Sequence, residues 1–273
     1  KINWISKMLT LDINNPREHC NLACEFCYSW DLEGQLSLSD IQRIVNENPQ
    51  HDIIELGGGE PLLHPEISDI ILYLTLERRK NVHVATNGTF IPESLYALPE
   101  QARNRAHMQV SLHASNEQLY EKITGKAHLF PRVAVNIPSF KDYFQTSVNT
   151  VAYQKNFRDI PDIVGLVKQY QVPHRINLAL PIGRGKEVDL LTPEQIAEIT
   201  SYLLAEKMNG TQVDSSLLHA NSCPVVENAY GILKKGVCPA ESGQKLYFSA
   251  QGISGCEFTP ALIQLRTKGA HYA

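Results

Sequence analysis

The chain has 273 residues, of which 43% are hydrophobic and 20% charged, and its formal net charge is −4. This composition excludes wholesale disorder, and the length allows one large α/β domain with or without a smaller one. No apolar run reaches the roughly 18 residues of a membrane span. Lys and Arg form no basic block. We therefore expect neither a membrane nor a nucleic acid as a partner.

Short β-branched runs alternate with helical patterns through the first two-thirds of the chain, which predicts a parallel sheet with helical crossovers. The predicted strands are 8–13, 52–56, 82–86, 108–113, 147–152 and 175–180. The predicted helices lie near 39–47, 66–78, 92–97, 115–123 and 160–170. Two of them are expected to begin with capping boxes, at Ser39 with Gln42 and at Ser115 with Gln118. Periodicity leaves open whether the sheet is doubly wound or bent into a partial barrel.

The pattern changes after residue 185. Thr192 and Gln195 predict the start of one more helix, with apolar residues on a single face. From about residue 215 the alternation stops and Gly, Ser and Pro become frequent. We predict two domains, 1–190 and 191–273. The second is expected to hold this helix and a small unit stabilised by a metal rather than by a core of its own.

Three cysteines follow the first predicted strand within eight residues: Cys20, Cys24 and Cys27. No signal peptide is visible, so the reducing cytoplasm is the expected location. The six cysteines of the chain are accordingly interpreted as metal ligands or reactive thiols rather than disulfides. Three thiolates leave a four-iron cube one ligand short, which suggests a cluster with one iron open to an outside ligand. The alternatives are a zinc site with His19 as fourth ligand and three unrelated thiols.

The spacing Cys20-x3-Cys24-x2-Cys27, with Phe26 before the last cysteine, resembles the signature of the radical S-adenosylmethionine (radical SAM) superfamily. Further stretches are similar to that family's motifs, in the family's order and at predicted strand ends, where α/β sheets bind ligands. They are Gly57-Gly58-Gly59-Glu60-Pro61, Thr86-Asn87-Gly88-Thr89, Ser111, Asn149 and the stretch 180–185 around Pro181.

This resemblance, over roughly residues 8–185, implies a partial (β/α)6 TIM-like barrel with a 4Fe–4S cluster on the three cysteines. It implies that S-adenosylmethionine chelates the open iron and that a flavodoxin or ferredoxin is the reductant. Glycines allow close backbone approach to a ligand, and a carboxylate suits the ammonium group of the methionine moiety. The implied cofactor-binding residues are Phe26, Gly58, Gly59, Glu60, Thr86, Asn87, Ser111, Asn149 and Pro181.

The remaining cysteines are Cys223, Cys238 and Cys256, and a predicted β-hairpin over 245–255 lies between the last two. This arrangement resembles the opening of the SPASM and "twitch" auxiliary domains of radical SAM enzymes. The resemblance implies a second 4Fe–4S cluster on Cys238 and Cys256, with Cys223 as a third candidate ligand. No cysteine follows Cys256, which departs from the full SPASM pattern and favours one auxiliary cluster. The alternative for Cys223 is a buried apolar thiol.

Glu257 directly follows Cys256. In the related anaerobic sulfatase-maturating enzymes an acidic residue at this position is the catalytic base, so the resemblance implies an oxidoreductase in which Glu257 accepts a proton. The alternatives are a redox-neutral epimerase with Cys223 as hydrogen-atom donor, and a non-catalytic metal-binding surface. The expected substrate is a peptide or a small sugar-like molecule. Only 19 residues precede Cys20, which favours a small substrate or a directly recognised peptide.

Overall fold

The computed structural model describes residues 7–215, 245–249 and 252–254. Its strands are β1 (Met8–Asn14), β2 (Ile53–Gly58), β3 (Asn81–Thr86), β4 (Ala106–Ser111), β5 (Gln145–Ala152), β6 (His174–Leu178), β7 (Val213–Ser215), β8 (Lys245–Ser249) and β9 (Gly252–Ser254). Its α-helices are α1 (Leu38–Glu47), α2 (Ile67–Leu72), α3 (Glu93–Tyr96), α4 (Glu100–Arg103), α5 (Glu117–Thr124), α6 (Phe130–Tyr143), α7 (Ile160–Tyr170) and α8 (Pro193–Met208). In these ranges no helix combines the length and apolarity that crossing a bilayer requires.

The nine strands in the described ranges form one sheet in the order β7-β6-β5-β4-β3-β2-β1-β8-β9. Every neighbouring pair is parallel except β8 and β9. Because β7 and β9 lie at opposite ends of this order, the sheet is an open, partial barrel. The structure therefore confirms the predicted fold class and all six predicted strands. It adds β7, which has only three residues and gives no sequence pattern.

Crossover helices cover the sheet, and their buried faces follow the helical period. In α7, Ile160, Ile163, Val164 and Val167 are buried, at the i, i+3, i+4, i+7 spacing of an amphipathic helix. The five predicted helices correspond to α1, α2, α3, α5 and α7, and α2 continues into a π-helical turn over Tyr73–Glu77. The predicted helix after residue 192 is α8, where Thr192 and Gln195 cap each other reciprocally.

Both predicted capping boxes in the first half of the chain are wrong. The N-cap of α1 lies two residues earlier, at Ser37, with Asp40 as its reciprocal partner. The N-cap of α5 is Asn116. Ser115 binds the carboxylate of Asp159 instead, through its backbone N–H at 2.7 Å and its hydroxyl at 2.6 Å. Ser115 thus makes a tertiary contact with Asp159 instead of the helix cap that the local sequence predicts.

Helix α6 was not predicted. Pro138 lies inside its 14 residues, where a proline removes one backbone hydrogen bond and disfavours a helix. Val133, Ile137 and Phe140 are nevertheless buried on one face, and β5 follows directly. Packing of that face against the sheet outweighs the local penalty.

The predicted C-terminal hairpin is confirmed, because β8 and β9 pair in antiparallel register. Unexpectedly, β8 also extends the barrel sheet by pairing in parallel with β1, and Phe248 is buried in the same core. The predicted domain boundary between residues 190 and 191 stays a prediction. Four predicted site residues lie outside the described residues: Cys223, Cys238, Cys256 and Glu257.

Candidate cluster and cofactor site

The loop between β1 and α1 carries the three cysteines along the carboxyl edge of the sheet. Ala23 N donates to Thr124 O (2.8 Å) and Glu25 N donates to Ile123 O (3.1 Å), which fixes the middle of the loop to the end of α5. Cys27 N donates to Cys24 O (3.2 Å) and closes a turn. The loop therefore curls back on itself, as a cysteine-ligated metal centre requires.

The three thiols share one partly buried region. Burial, and then the charges of Glu60 and Cys27, raise the pKa of Cys20 to about 12. Burial also raises the pKa values of Cys24 and Cys27, and for Cys24 the charges of the other two thiolates add to it. Three thiolates crowded together in a poorly solvated region need compensating positive charge, which iron ions supply.

The donor set of the cysteine loop is one that an iron–sulfur cluster can use. In a cuboidal cluster each thiolate binds a different iron, so its ligands need not converge on one point. Three thiols on one curled loop are therefore suited to a cluster whose fourth iron is open to another ligand.

The triple-glycine turn after β2 packs against the residues that follow β1. Gly58 has φ +99°, and a Cβ atom there would lie 2.3 Å from Asn14 O. A Cβ atom on Gly59 would lie 2.7 Å from both Asn15 O and His19 O. These glycines are therefore required because the backbone leading to the cysteine loop passes directly over them. Their expected contact with the cofactor stays a prediction.

Glu60 joins this turn to the turn after β3. Its carboxylate accepts bonds from Leu62 N (2.9 Å), Thr86 Oγ1 (2.7 Å) and Asn87 N (2.6 Å), and the residue is 1% exposed. Burial raises its pKa to about 7, although these three donors favour the charged form. The structure thus gives Glu60 a positioning role. Direct binding of an ammonium group stays a prediction.

Asn87 connects the turn after β3 to the start of the cysteine loop. Its Nδ2 donates to Asn21 Oδ1 at 2.8 Å and lies 3.9 Å from Cys20 Sγ. Asn21 Nδ2 in turn donates to Thr89 Oγ1 at 2.8 Å. Thr86 and Asn87, which the sequence proposes for the cofactor, are therefore placed together beside the first cysteine.

Ser111 and Asn149 are register partners at the edge where β4 ends. Ser111 is half-buried, and its side chain has no hydrogen-bond partner among the residues that the structure describes. Asn149 Oδ1 accepts a bond from Asn177 Nδ2 at 2.8 Å. Pro181 is half-buried just after β6. The structure thus brings Ser111 and Asn149 together, and the cofactor role of all three residues stays a prediction.

Phe26 lies between the ends of β4 and β5. Its ring meets His113 edge-on, with 4.8 Å between centroids, and Tyr153 at 5.4 Å. The neighbouring Glu25 accepts a bond from the Tyr153 hydroxyl (2.5 Å) and pairs with Lys155. These four contacts fasten the second half of the loop. Sequence reasoning missed Glu25, Tyr153 and Lys155, because about 130 residues separate Glu25 from the other two.

A cavity of about 300 Å³ lies beside the cysteine loop, at the connections after β5 and β6. Its lining residues are Glu25, Tyr153, Gln154, Lys155, Glu187, Val188 and Asp189, and the lining surface is polar and apolar in about equal parts. It therefore offers hydrogen-bonding and charged groups together with apolar surface next to the loop.

Arg184 is a further residue that sequence reasoning missed, although it stands in a stretch noted for its motif. Its Nη1 donates to Ala23 O at 2.7 Å and its backbone N–H donates to Cys27 O at 3.0 Å. The guanidinium carbon lies 4.7 Å from the centre of the Trp30 ring. One residue from the segment after β6 thus contacts the cysteine loop at three points.

An open parallel barrel that carries a curled three-cysteine loop at its carboxyl edge, held by glycine-rich and Thr-Asn-Gly turns, defines an iron–sulfur enzyme of the barrel type. The sequence profile of the Radical SAM superfamily matches residues 14–167, more than half of the chain. The chain therefore belongs to the radical SAM superfamily.

Individual relatives differ in their reactions. The chain is 28% identical over 192 residues to an AdoMet-dependent heme synthase of Methanosarcina barkeri, covering 67% of this chain and 54% of that protein. It is 30% identical over 193 residues to a probable GTP 3′,8-cyclase of Saccharolobus islandicus, covering 67% of this chain and 61% of the relative. The chain thus spans between half and two-thirds of the length of these curated relatives.

Among solved structures, Streptococcus suis SuiB has the same fold, with a TM-score of 0.72 at 14% identity. The match covers 92% of this chain and 60% of SuiB. SuiB structures have been solved with S-adenosylmethionine and with the precursor peptide SuiA. At this identity the likeness concerns the fold alone.

Membership of the family implies a 4Fe–4S cluster and S-adenosylmethionine. The described residues fit both groups: the cysteine loop offers three thiolates, and Ser111 and Asn149 lie as register partners at the carboxyl edge of the sheet. The superfamily assignment from the sequence is thereby confirmed.

Proposed function

We propose that this protein is an oxidoreductase of the radical SAM superfamily that modifies a peptide or a small sugar-like molecule. When bound, the cluster and S-adenosylmethionine supply a 5′-deoxyadenosyl radical, which takes a hydrogen atom from a substrate carbon. The observation that carries the proposal is the curled loop of Cys20, Cys24 and Cys27, held from both sides at the carboxyl edge of the barrel.

In this proposal, Cys20, Cys24 and Cys27 hold the first cluster. Gly58, Gly59 and Glu60 define the position of the methionine moiety, and Ser111 and Asn149 bind its carboxylate or ribose. Thr86 and Asn87 hold the cysteine loop against that position, with Phe26 and Pro181 closing the side next to β5 and β6. The support is the hydrogen-bond network that links the turns after β2 and β3 to the loop.

The oxidative part of the proposal concerns the C-terminal residues. Cys238 and Cys256, with Cys223 as a third candidate, hold a second 4Fe–4S cluster that takes up one electron, and Glu257 accepts the proton lost by the substrate. The support is the hairpin predicted between these cysteines, whose strands β8 and β9 form and extend the barrel sheet.

The substrate proposal is supported by a curated relative and by the cavity beside the cysteine loop. The relative is a probable GTP 3′,8-cyclase, and GTP is a charged molecule that contains a sugar. The charged and hydrogen-bonding side chains among the cavity's lining residues support a substrate with such groups. A flavodoxin or ferredoxin is the proposed electron donor, because the first cluster must reach a low potential.

The first test is the iron and sulfide content after anaerobic reconstitution. Wild type is compared with a variant carrying Ala at Cys20, Cys24 and Cys27. We expect about eight irons in wild type and about four in the variant, one cuboidal cluster being lost. The matched control replaces Cys238 and Cys256 with Ala and should also retain about four irons.

The second test is turnover with reductant. Wild type should release 5′-deoxyadenosine from S-adenosylmethionine, and the Cys20/Cys24/Cys27 variant should release none.

In the iron analysis, about four irons in wild type, falling to none in that variant, would refute the auxiliary cluster. The product would then be examined for a deuterium atom from solvent, which redox-neutral epimerisation with Cys223 as hydrogen-atom donor incorporates and oxidation does not.

A further inference from the structure

Arg184 contacts the cysteine loop through two hydrogen bonds and one stacking contact. Its Nη1 donates to the carbonyl of Ala23, which lies between Cys20 and Cys24 in sequence. Its backbone N–H donates to the carbonyl of Cys27, and its guanidinium stacks on Trp30, three residues further along the loop. The loop also presses closely on this segment: a Cβ atom on Gly183 would lie 2.5 Å from Cys27 O. The guanidinium is therefore held in one place relative to the cysteines.

The positive charge of Arg184 lies against the cysteine loop. Its guanidinium bonds to the carbonyl of Ala23, the residue before Cys24, and its backbone N–H bonds to the carbonyl of Cys27. A guanidinium is a delocalised cation, so this arrangement places a positive charge next to the segment that carries Cys24 and Cys27.

The consequence concerns reduction. A 4Fe–4S centre with three thiolate ligands is already anionic, and uptake of one electron from the external reductant adds one more negative charge. A fixed cation nearby stabilises the reduced form more than the oxidised form, because the attraction grows with the charge. Partial burial weakens solvent screening of this attraction.

We propose that Arg184 is a positioning residue of the cluster site that raises the reduction potential of the first cluster and thereby makes it accessible to the electron donor. This inference rests on the proposed function only in that Cys20, Cys24 and Cys27 hold the cluster. It adds a role for a residue that belongs to neither the cysteine motif nor the proposed cofactor ligands.

The test is an EPR-monitored redox titration with dithionite of the reconstituted full chain, without substrate. The signal followed is the one absent from the variant with Ala at Cys20, Cys24 and Cys27. The variants are Arg184→Gln and Arg184→Met, which remove the charge, and Arg184→Lys, which retains it. Arg158→Gln is the matched control, because Arg158 also stacks on an aromatic ring, at 4.9 Å from Phe157, and its side chain is largely exposed.

Arg184→Gln and Arg184→Met should lower the ratio of reduced to oxidised cluster at a fixed potential about tenfold, a shift of about 59 mV for one electron. Arg184→Lys should shift it by less than half as much, and Arg158→Gln should match wild type. Arg184→Gln and Arg184→Met both remove the same charge. If one of them fails to bind the cluster, the other still tests the inference.

Two results would overturn the inference: neutral variants that titrate like Arg158→Gln, or a shift of equal size in Arg184→Lys, which would assign the effect to geometry. If no EPR signal depends on Cys20, Cys24 and Cys27, the proposed function itself fails, and this inference fails with it. That outcome is distinguishable, because the other two require the signal to be present.

Discussion

His174 shows how one buried side chain makes stability depend on pH. The Thr150 hydroxyl donates to Leu112 O at 2.5 Å, so its oxygen accepts a bond from His174 Nε2 at 2.8 Å. Nε2 of the ring therefore carries a proton. Nδ1 is buried and has no partner in the described part of the chain. Burial lowers the pKa of His174 to about 3, because protonation would place an unpaired charge in the core.

We expect this histidine to destabilise the fold below neutral pH. Its pKa is lowered on folding, so the unfolded chain binds a proton that the folded chain does not. The unfolding free energy therefore decreases as the pH falls below about 6.5, the ordinary pKa of a histidine in the unfolded chain. When the pH is lowered from 7.5 to 5.5, wild type should lose about 1.4 kcal/mol more unfolding free energy than His174→Gln.

The measurement is anaerobic urea unfolding at both pH values. Met208→Leu is the control, because Met208 is 88% exposed and has no titratable group, and it should leave the pH dependence unchanged. Equal pH dependence in wild type and His174→Gln would contradict the assignment of a neutral, buried ring.

Glu60 gives a second prediction at the residue scale. Glu60→Gln keeps the volume but replaces one acceptor oxygen with an amide that cannot accept the bond from Asn87 N or from Thr86 and Leu62. We expect a loss of about 1–3 kcal/mol in unfolding free energy, the usual effect of an unsatisfied buried donor. Because Asn87 also contacts Asn21 beside Cys20, the variant should retain less iron after gel filtration.

The control for this prediction is Glu100→Gln at an exposed position in α4. It should match wild type in urea unfolding and in iron content. If Glu60→Gln is also indistinguishable from wild type in both measurements, the carboxylate does not hold the two turns together.

Local spacing predicts the parts of the site that lie close together in sequence. The three cysteines and the two turns are each short motifs, and their residue types alone suggest metal and ligand binding. The contacts that hold the loop are different, because Arg184 reaches Ala23 across 161 residues and Tyr153 reaches Glu25 across 128. Only the order of strands in the sheet brings such residues together, so the sequence of either partner contains no signal for the contact.

At the scale of elements, the turn after β2 fixes the entry to the cysteine loop. We expect Gly58→Ala to cost on the order of 3 kcal/mol, since φ +99° strains any other residue and the new Cβ would meet Asn14 O. The displaced loop should also retain less iron. Both effects are measured by thermal unfolding and iron analysis of the purified protein.

Gly165→Ala in α7 is the matched control for this prediction. A Cβ atom there has nothing within 4 Å, so the alanine should stabilise the protein by about 0.5–1 kcal/mol through its higher helix propensity. If Gly58→Ala behaved like Gly165→Ala, the close packing of the glycine turn on the loop would be wrong.

Element prediction succeeded where hydrophobic periodicity was strong and failed where local chemistry competed with packing. Helix α7 was predicted with its observed bounds, since four buried residues repeat at the helical period. Helix α6 was missed because Pro138 argues against a helix locally, whereas three buried side chains stabilise one in the fold. The Ser115 cap was wrong because Asp159, 44 residues away, binds that serine. Tertiary contacts decided both cases.

For the molecule as a whole, strand–helix alternation correctly predicted a parallel sheet with helical crossovers, and the resemblance to the radical SAM superfamily implied its partial barrel. The sequence did not predict where the C-terminal hairpin lies. A hairpin pattern specifies only the pairing of β8 with β9. The pairing of β8 with β1 joins residues more than 230 positions apart, with Leu11 opposite Phe248. Open sheet edges are prone to unwanted pairing, and β8 covers the edge of β1.

This placement makes Phe248 part of the barrel core, where it is 3% exposed. We expect Phe248→Ala to lower the unfolding free energy of the whole barrel by about 3–5 kcal/mol, as for other buried phenylalanines. Phe90→Ala, at a side chain that is 46% exposed, should cost less than about 1 kcal/mol. Urea unfolding followed by far-UV circular dichroism measures both variants.

Iron content distinguishes two consequences of the same substitution. Because β1 leads directly into the cysteine loop, loosening its β8 neighbour should also reduce the iron that depends on Cys20, Cys24 and Cys27. If the hairpin instead folded independently of the barrel, Phe248→Ala would leave the main unfolding transition and that iron unchanged. Such a result would show that the pairing of β8 with β1 contributes nothing to the barrel.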